Sequence, residues 1–205
     1  MLSRRMVLAA LAVAVPALGR APAAGAAGDP GATIRAFYDT LIAVMKEAKR
    51  LSFDQRYARL APAVGRAFNL PLMTRIAVGP SWADMTQAQQ QRLTDAFARY
   101  TISTYTNRFD GYSGERFEVA PAPLQNPNGV IVETRLIRTD GEPVTLNYLM
   151  RSNGAGAWQV IDVFLSGTIS ELATRRSEFA AVLQRAGADG LLRLLQTRAA
   201  ALRTG

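Results

Sequence analysis

The chain has 205 residues, and its 24 lysines and arginines outnumber 16 aspartates and glutamates, for a formal charge of +8. It contains no cysteine and no histidine. These absences exclude disulfides, thiol chemistry, Cys/His metal sites and every catalytic triad that uses imidazole. The basic residues are scattered rather than clustered with aromatics, so no nucleic-acid partner is expected, whereas attraction to anionic lipid headgroups is compatible with the charge.

The first 26 residues have the pattern of an export signal. Basic "MLSRR" is followed by apolar "MVLAALAVAVPAL" and by the small residues Ala24-Gly25-Ala26. The apolar stretch is shorter than the roughly 20 residues that span a bilayer. Its paired arginines fit the ordinary secretory route and the twin-arginine route equally well. We therefore predict a signal peptide at 1–26 and a single mature domain at 27–205 that is exported to the bacterial envelope.

Helical patterns fill the first half of the mature chain. Asp29-Pro30 is typical of a helix N-cap followed by proline at the first helical position, which predicts a helix over 30–49. Capping boxes predict two further helix starts, at Ser52 with Gln55 and at Thr86 with Gln89. Between them the pattern predicts a short helix over 70–78, ended by Gly79. The helix that starts at the second box is the longest, over about 87–109.

The periodicity changes from 3.6 to 2 after Gly114. Four strands are predicted, at 116–121, 129–139, 142–152 and 157–166, with Asp140-Gly141 as a hairpin turn between the second and third. A capping box from Thr168 to Glu171 then predicts a helix that stops at Gly187, before a last helix over 189–203. This order predicts an α+β fold: a curved antiparallel sheet of about four strands with helices packed on one face.

Asp162 is the one charged residue in the last predicted strand. Alternation places it on the same face as three apolar side chains, Trp158, Val160 and Phe164. An unpaired buried carboxylate is costly, so the favoured interpretation is a structural ion pair with Arg176, one turn into the following helix. Contact with a ligand and general-base catalysis by a desolvated carboxylate are the alternatives.

Aromatic, methionine and other apolar side chains recur on the inner faces of these helices and strands. They fit an ordinary core, and they fit equally the lining of a pocket for an acyl chain or a polycyclic lipid. No serine has an imidazole partner and no acidic cluster has calcium-loop spacing, so no catalytic residue, metal or cofactor is predicted. The positions predicted to line a lipid pocket are Phe37, Leu41, Met45, Met73, Trp82, Phe97, Tyr100, Leu146, Tyr148, Met150, Val160, Phe164, Leu172 and Phe179.

Motifs spread over nearly the whole mature chain resemble the MlaC, or toluene-tolerance, family of periplasmic lipid carriers. They are Gly79 with Trp82, the long helix from Gln89 to Tyr105, Trp158-x-x-x-Asp162-Val163, Gly167-x-x-Ser170 and Arg176-Ser-Glu-Phe179. The segments "FYDTLIAVMKEAKRLSFDQRYARLAPAVGRAFNLPLM" and "GTISELATRRSEF" are most similar to the branch associated with hopanoid biosynthesis, called HpnM.

The resemblance implies an NTF2-like or cystatin-like fold with an apolar cavity for lipid tails, and carriage instead of catalysis. The implied cargo is a phospholipid or a hopanoid. The implied partners are an inner-membrane transporter of the ABC or RND type and an outer-membrane protein, and a monomeric carrier is expected. Two alternatives remain: an NTF2-like isomerase or hydratase that uses Asp162, Tyr100 or Tyr148 on an apolar polycyclic substrate, and a ligand-free adaptor of a membrane transport complex.

Overall fold

The computed structural model of the protein describes residues 28–154 and 156–204, so the predicted signal peptide lies outside the described residues. Among these residues, no helix combines the length and the apolar character needed to cross a bilayer. The helices are α1 (Pro30–Glu47), α2 (Phe53–Ala67), α3 (Leu70–Val78), α4 (Gln87–Arg108) and α5 (Glu171–Thr204).

The predicted helix starts in the first half of the chain are confirmed by their caps. The Asp29 side chain accepts a hydrogen bond of 2.8 Å from the backbone N–H of Gly31. Both predicted capping boxes are reciprocal, with the cap side chain and the glutamine side chain each bonded to the other's backbone. Because each cap satisfies N–H groups that have no partner within the helix, the sequence determines these boundaries locally.

The start of α5 differs from the prediction. The helix begins at Glu171, and the side chain of Ser170 accepts a 2.9 Å hydrogen bond from the backbone N–H of Ala173. Thr168 is therefore not the cap, and a short strand occupies the residues that follow it. The predicted stop is confirmed, because Gly187 has φ 62° and ψ −168° and interrupts α5 between its two halves.

The sheet has seven antiparallel strands arranged around a long central one. They are β1 (Arg116–Val119), β2 (Leu124–Asn126), β3 (Gly129–Val132), β4 (Thr134–Ile137), β5 (Val144–Ser152), β6 (Trp158–Leu165) and β7 (Ile169–Ser170). One edge of β5 pairs with β4 and β3, and the other edge pairs with β6. The α+β class with a curved antiparallel sheet is confirmed. The number of strands rises from the predicted four to seven because the predicted strand at 129–139 divides into β3 and β4, and because two short strands, β2 and β7, were not predicted.

A β-bulge in β6 changes which side chains face the helices. Met150 pairs with Val160, whereas Tyr148, two residues earlier on β5, pairs with Val163. The extra residue in β6 reverses the alternation beyond it. The prediction that Asp162 and Phe164 share a face with Val160 is therefore wrong. Val163 and Leu165 lie on that face instead.

The helices pack on this inner face of the sheet and enclose an aromatic core. The ring of Phe37 in α1 makes edge contacts with the rings of Phe68 and Tyr105, each at a centroid distance of 5.2 Å. Phe37 and Phe68 are 2% exposed. Burying each such side chain stabilises the fold by about 1.5–3 kcal/mol. The rings also fix α1 and α4 relative to each other.

Candidate functional site

A cavity of about 100 Å³ lies between α4, the first turns of α5 and the inner face of β5 and β6. Aromatic and aliphatic side chains make up most of its lining, and a smaller number of polar and charged side chains complete it. The lining residues are Phe68, Met73, Phe97, Thr101, Thr104, Tyr105, Arg108, Phe109, Leu146, Tyr148, Val163, Leu165, Glu171, Leu172 and Arg175.

A chain of buried hydroxyl groups lies beside this cavity. The Tyr38 hydroxyl is 2.7 Å from Thr134 Oγ1 and 2.9 Å from the hydroxyl of Tyr148. Thr134, the first residue of β4, in turn donates through its Oγ1 to the backbone carbonyl of Leu146 in β5. Tyr148 is also hydrogen-bonded to the side chain of Tyr105. The chain thus connects α1, α4 and β4 with β5.

The tyrosines of this chain are neutral phenols. Burial raises the pKa of Tyr38 to about 12, although its hydrogen bonds to Thr134 and Tyr148 partly offset this effect. Burial likewise raises the pKa of Tyr105 and that of Tyr148 well above the ordinary tyrosine range. Because desolvation disfavours the phenolate, none of the three supplies a base at physiological pH.

The charged residues of the lining are Arg108, Glu171 and Arg175. Arg175 Nη2 lies 3.2 Å from Glu171 Oε2, and the two side chains are 16% and 24% exposed. The Arg175 guanidinium also lies 4.9 Å from the ring centroid of Tyr100, a cation–π arrangement. Arg108 is exposed at the end of α4. Since Arg108 is both exposed and part of the lining, the cavity reaches solvent beside a cationic group.

Asp162 is not half of an ion pair. Its Oδ1 accepts hydrogen bonds from the backbone N–H groups of Val163, at 2.7 Å, and Leu172, at 3.1 Å, and its Oδ2 accepts one of 2.5 Å from the Ser170 hydroxyl. The Arg176 side chain is exposed, and no ion pair joins it to Asp162. The predicted pair is therefore wrong. The carboxylate instead caps α5, where the positive end of the helix dipole favours it.

The structure brings only part of the predicted pocket together. Met73, Phe97, Leu146, Tyr148 and Leu172 line the cavity. That these five contact a lipid stays a prediction.

The other nine predicted residues do not line this cavity. Six belong to the buried hydrophobic core around the cavity: Phe37, Leu41, Met45, Met150, Val160 and Phe179. Trp82 and Tyr100 are half-buried and pack against that core. Phe164 pairs with Asn147 across the strands, on the face of the sheet opposite Tyr148, because of the bulge in β6.

Sequence reasoning missed three aromatic residues of the lining, Phe68, Tyr105 and Phe109, as well as its polar part and the residues beyond the bulge. On α4 the lining follows helical spacing through Phe97, Thr101, Thr104 and Arg108. This spacing was available in the sequence, but a search for apolar residues passes over threonine and arginine. Val163 and Leu165 carried no such signal, because strict alternation assigns them to the other face.

The fold and the cavity together define an α+β domain that encloses a small, mostly apolar internal site with a charged margin. The family model described as "MlaC protein" matches residues 35–197, and the chain belongs to this family. A solved structure with the same fold is that of a phospholipid-binding protein from Ralstonia solanacearum in complex with a phospholipid. The two proteins are 26% identical with a TM-score of 0.74, and the match covers 85% of this chain and 99% of that one.

Proposed function

We propose that this protein is a periplasmic lipid carrier that binds the apolar part of a phospholipid or a hopanoid and moves it between the inner and outer membranes. The observation that carries the proposal is the internal cavity, with its apolar lining and cationic margin, in the fold of a protein that holds a phospholipid. An inner-membrane transporter of the ABC or RND type and an outer-membrane partner would load and unload it.

The hydrophobic effect explains why a lipid carrier needs such a cavity. Each methylene of a lipid tail that leaves the membrane for water loses about 0.8 kcal/mol of burial energy. The resulting penalty makes unaided transfer between membranes slow. A soluble protein that buries the tail removes most of that penalty while the headgroup remains near solvent, beside Arg108 and Arg175.

The size of the cavity implies that its walls move when a lipid binds. A volume of about 100 Å³ corresponds to about three molecules of the size of water. A whole acyl chain is several times larger. The proposal therefore includes a widening of the space between α4, α5 and the sheet, in which the flexible side chain of Met73 can rearrange.

The hydroxyl chain is the feature that would favour the alternative, an isomerase or hydratase. Its four hydroxyl groups, on Tyr38, Thr134, Tyr148 and Tyr105, make four contacts, including the one to the Leu146 carbonyl. Thr134 donates its hydroxyl hydrogen to the Leu146 carbonyl and Tyr38 donates its own to Tyr148, so these two hydrogens are engaged within the protein. The raised pKa values keep the phenols from acting as bases. Carriage is the better-supported function.

The test is native mass spectrometry of the mature protein purified from its own periplasm, followed by identification of the extracted ligand. One phospholipid or hopanoid per chain is expected, and its identity distinguishes the two cargo classes. A ligand-free protein would contradict carriage and favour the adaptor. Conversion of an added polycyclic substrate would favour the enzyme.

A cavity-filling variant makes this test specific. Thr101→Trp places an indole in the cavity and is expected to abolish the co-purifying lipid while circular dichroism stays unchanged. Thr174→Trp is the matched control, because Thr174 is exposed on α5 and outside the lining. Equal lipid content in both variants would show that the lipid binds elsewhere.

A further inference from the structure

A second functional surface lies where α1 ends and α2 begins. Residues 46–59 contain five basic and two acidic side chains. Four of the basic residues, Lys46, Lys49, Arg50 and Arg56, make no ion pair within the part of the chain that the structure describes. We call these four residues the basic corner. The short 3-10 turn Ala48–Arg50 joins the two helices there, so the four residues flank or belong to one turn of the chain.

The acids of this segment are already neutralised. Glu47 Oε2 accepts from Arg59 Nη1 at 2.6 Å, and Asp54 is paired with Arg203 from the end of α5. The nearest acids of the loop after α4 are Asp110 and Glu115, and neither forms an ion pair with the basic corner. Three of the four unpaired cations, Lys46, Lys49 and Arg50, are exposed and give this corner a local excess of positive charge, whereas Arg56 is half-buried and donates to the Leu51 carbonyl.

An exposed aromatic residue adjoins the basic corner on the side of the cavity. Lys46 Nζ lies 5.2 Å from the ring centroid of Tyr112, and Tyr112 is 37% exposed. Tyr112 follows Arg108 and Phe109, both of which line the cavity, after a few residues of loop. A tyrosine with an apolar body and a polar tip, beside a lysine, is a combination that suits the headgroup layer of a bilayer.

We propose that the basic corner docks the protein on an anionic bilayer surface, with the end of α4 that borders the cavity turned toward the lipid. The partner is the membrane itself: Lys46, Lys49 and Arg50 are exposed, and Tyr112 adds an amphipathic ring beside Lys46, which matches a layer of mobile phosphates better than a fixed protein pocket. The proposal concerns delivery, and it stands apart from the identity of the cargo.

The experiment measures co-sedimentation of the protein with vesicles. Wild-type protein is expected to bind vesicles that contain phosphatidylglycerol and not vesicles of pure phosphatidylcholine, with binding that weakens as salt is added. Each basic residue near an anionic surface contributes about fivefold in affinity, so Lys49→Glu with Arg50→Glu should reduce binding by at least about 25-fold.

The matched control has the same change in net charge far from the basic corner. Arg66 and Arg151 both lie beside Gln159, next to the start of α1 and about 20 Å along that helix from Lys46. Arg66→Glu with Arg151→Glu should change vesicle binding less than about threefold. Equal losses in the two double variants would overturn the proposal, because net charge alone would then explain the binding.

Two further outcomes separate this proposal from carriage. Absence of wild-type binding to anionic vesicles overturns membrane docking, and an acidic protein partner would then be the remaining occupant of the basic corner. Native mass spectrometry of the Lys49→Glu, Arg50→Glu protein is expected to show wild-type lipid content. Loss of vesicle binding with retained lipid supports docking at the basic corner and leaves carriage intact.

Discussion

Replacing Asp162 by asparagine tests what holds α5 over the sheet. Asparagine keeps one oxygen for the N–H groups of Val163 and Leu172 but loses the charge and the acceptor for Ser170. Hydrogen bonds to a charged group contribute about 1.5–3 kcal/mol against about 0.5–1.5 for neutral ones. We expect Asp162→Asn to lower the free energy of unfolding by about 2 kcal/mol, which corresponds to roughly 4–8 °C in melting temperature.

The assay is urea denaturation at neutral pH, with Arg176→Gln as the comparison. Arg176 is exposed and makes no ion pair with Asp162, so its variant should change stability by less than about 0.5 kcal/mol. If the two substitutions lowered the free energy of unfolding equally, the ion-pair interpretation would be supported and the capping interpretation refuted. Native mass spectrometry of Asp162→Asn should show retained lipid. Unchanged melting with lost lipid would make Asp162 a ligand contact.

Three other predictions concern separate parts of the fold. Tyr148→Phe removes the central hydroxyl of the buried chain and should cost about 1–3 kcal/mol in urea unfolding, whereas Tyr112→Phe, at an exposed position, should be neutral. Gly79→Ala forces a side chain into φ 71° and should cost about 1–3 kcal/mol by the same measurement, with a neutral result contradicting the backbone argument. The ion pair with Arg198 lowers the pKa of Glu178 below its usual value of 4.5. The stabilisation that this pair gives the fold is therefore present above pH 4.5 and is lost as the pH falls further. A scan of melting temperature against pH should therefore be shallower for Glu178→Gln in acid, and parallel curves would refute this.

The helix boundaries were predictable because the interactions that determine them are local. A cap side chain bonds to a backbone N–H two or three residues ahead, so the residues at 29–30, 52–55 and 86–89 contain the whole signal. The start of α5 was predicted wrongly because its cap depends on a contact that is not local. Its cap, Ser170, is held by Asp162 from a neighbouring strand, and Thr168 offered a competing local pattern without that support.

The cavity was harder to predict because its lining depends on contacts between distant segments. The bulge in β6 arises where β5 and β6 pair, and nothing within "WQVIDVFL" distinguishes a regular strand from a bulged one. One inserted residue moves Val163 and Leu165 to the cavity side and Asp162 to the other face. The same shift brings the Asp162 carboxylate to the backbone of Leu172, a residue of the cavity wall. A single irregularity in one strand therefore determines both which side chains a lipid would meet and how the helix that encloses it is held.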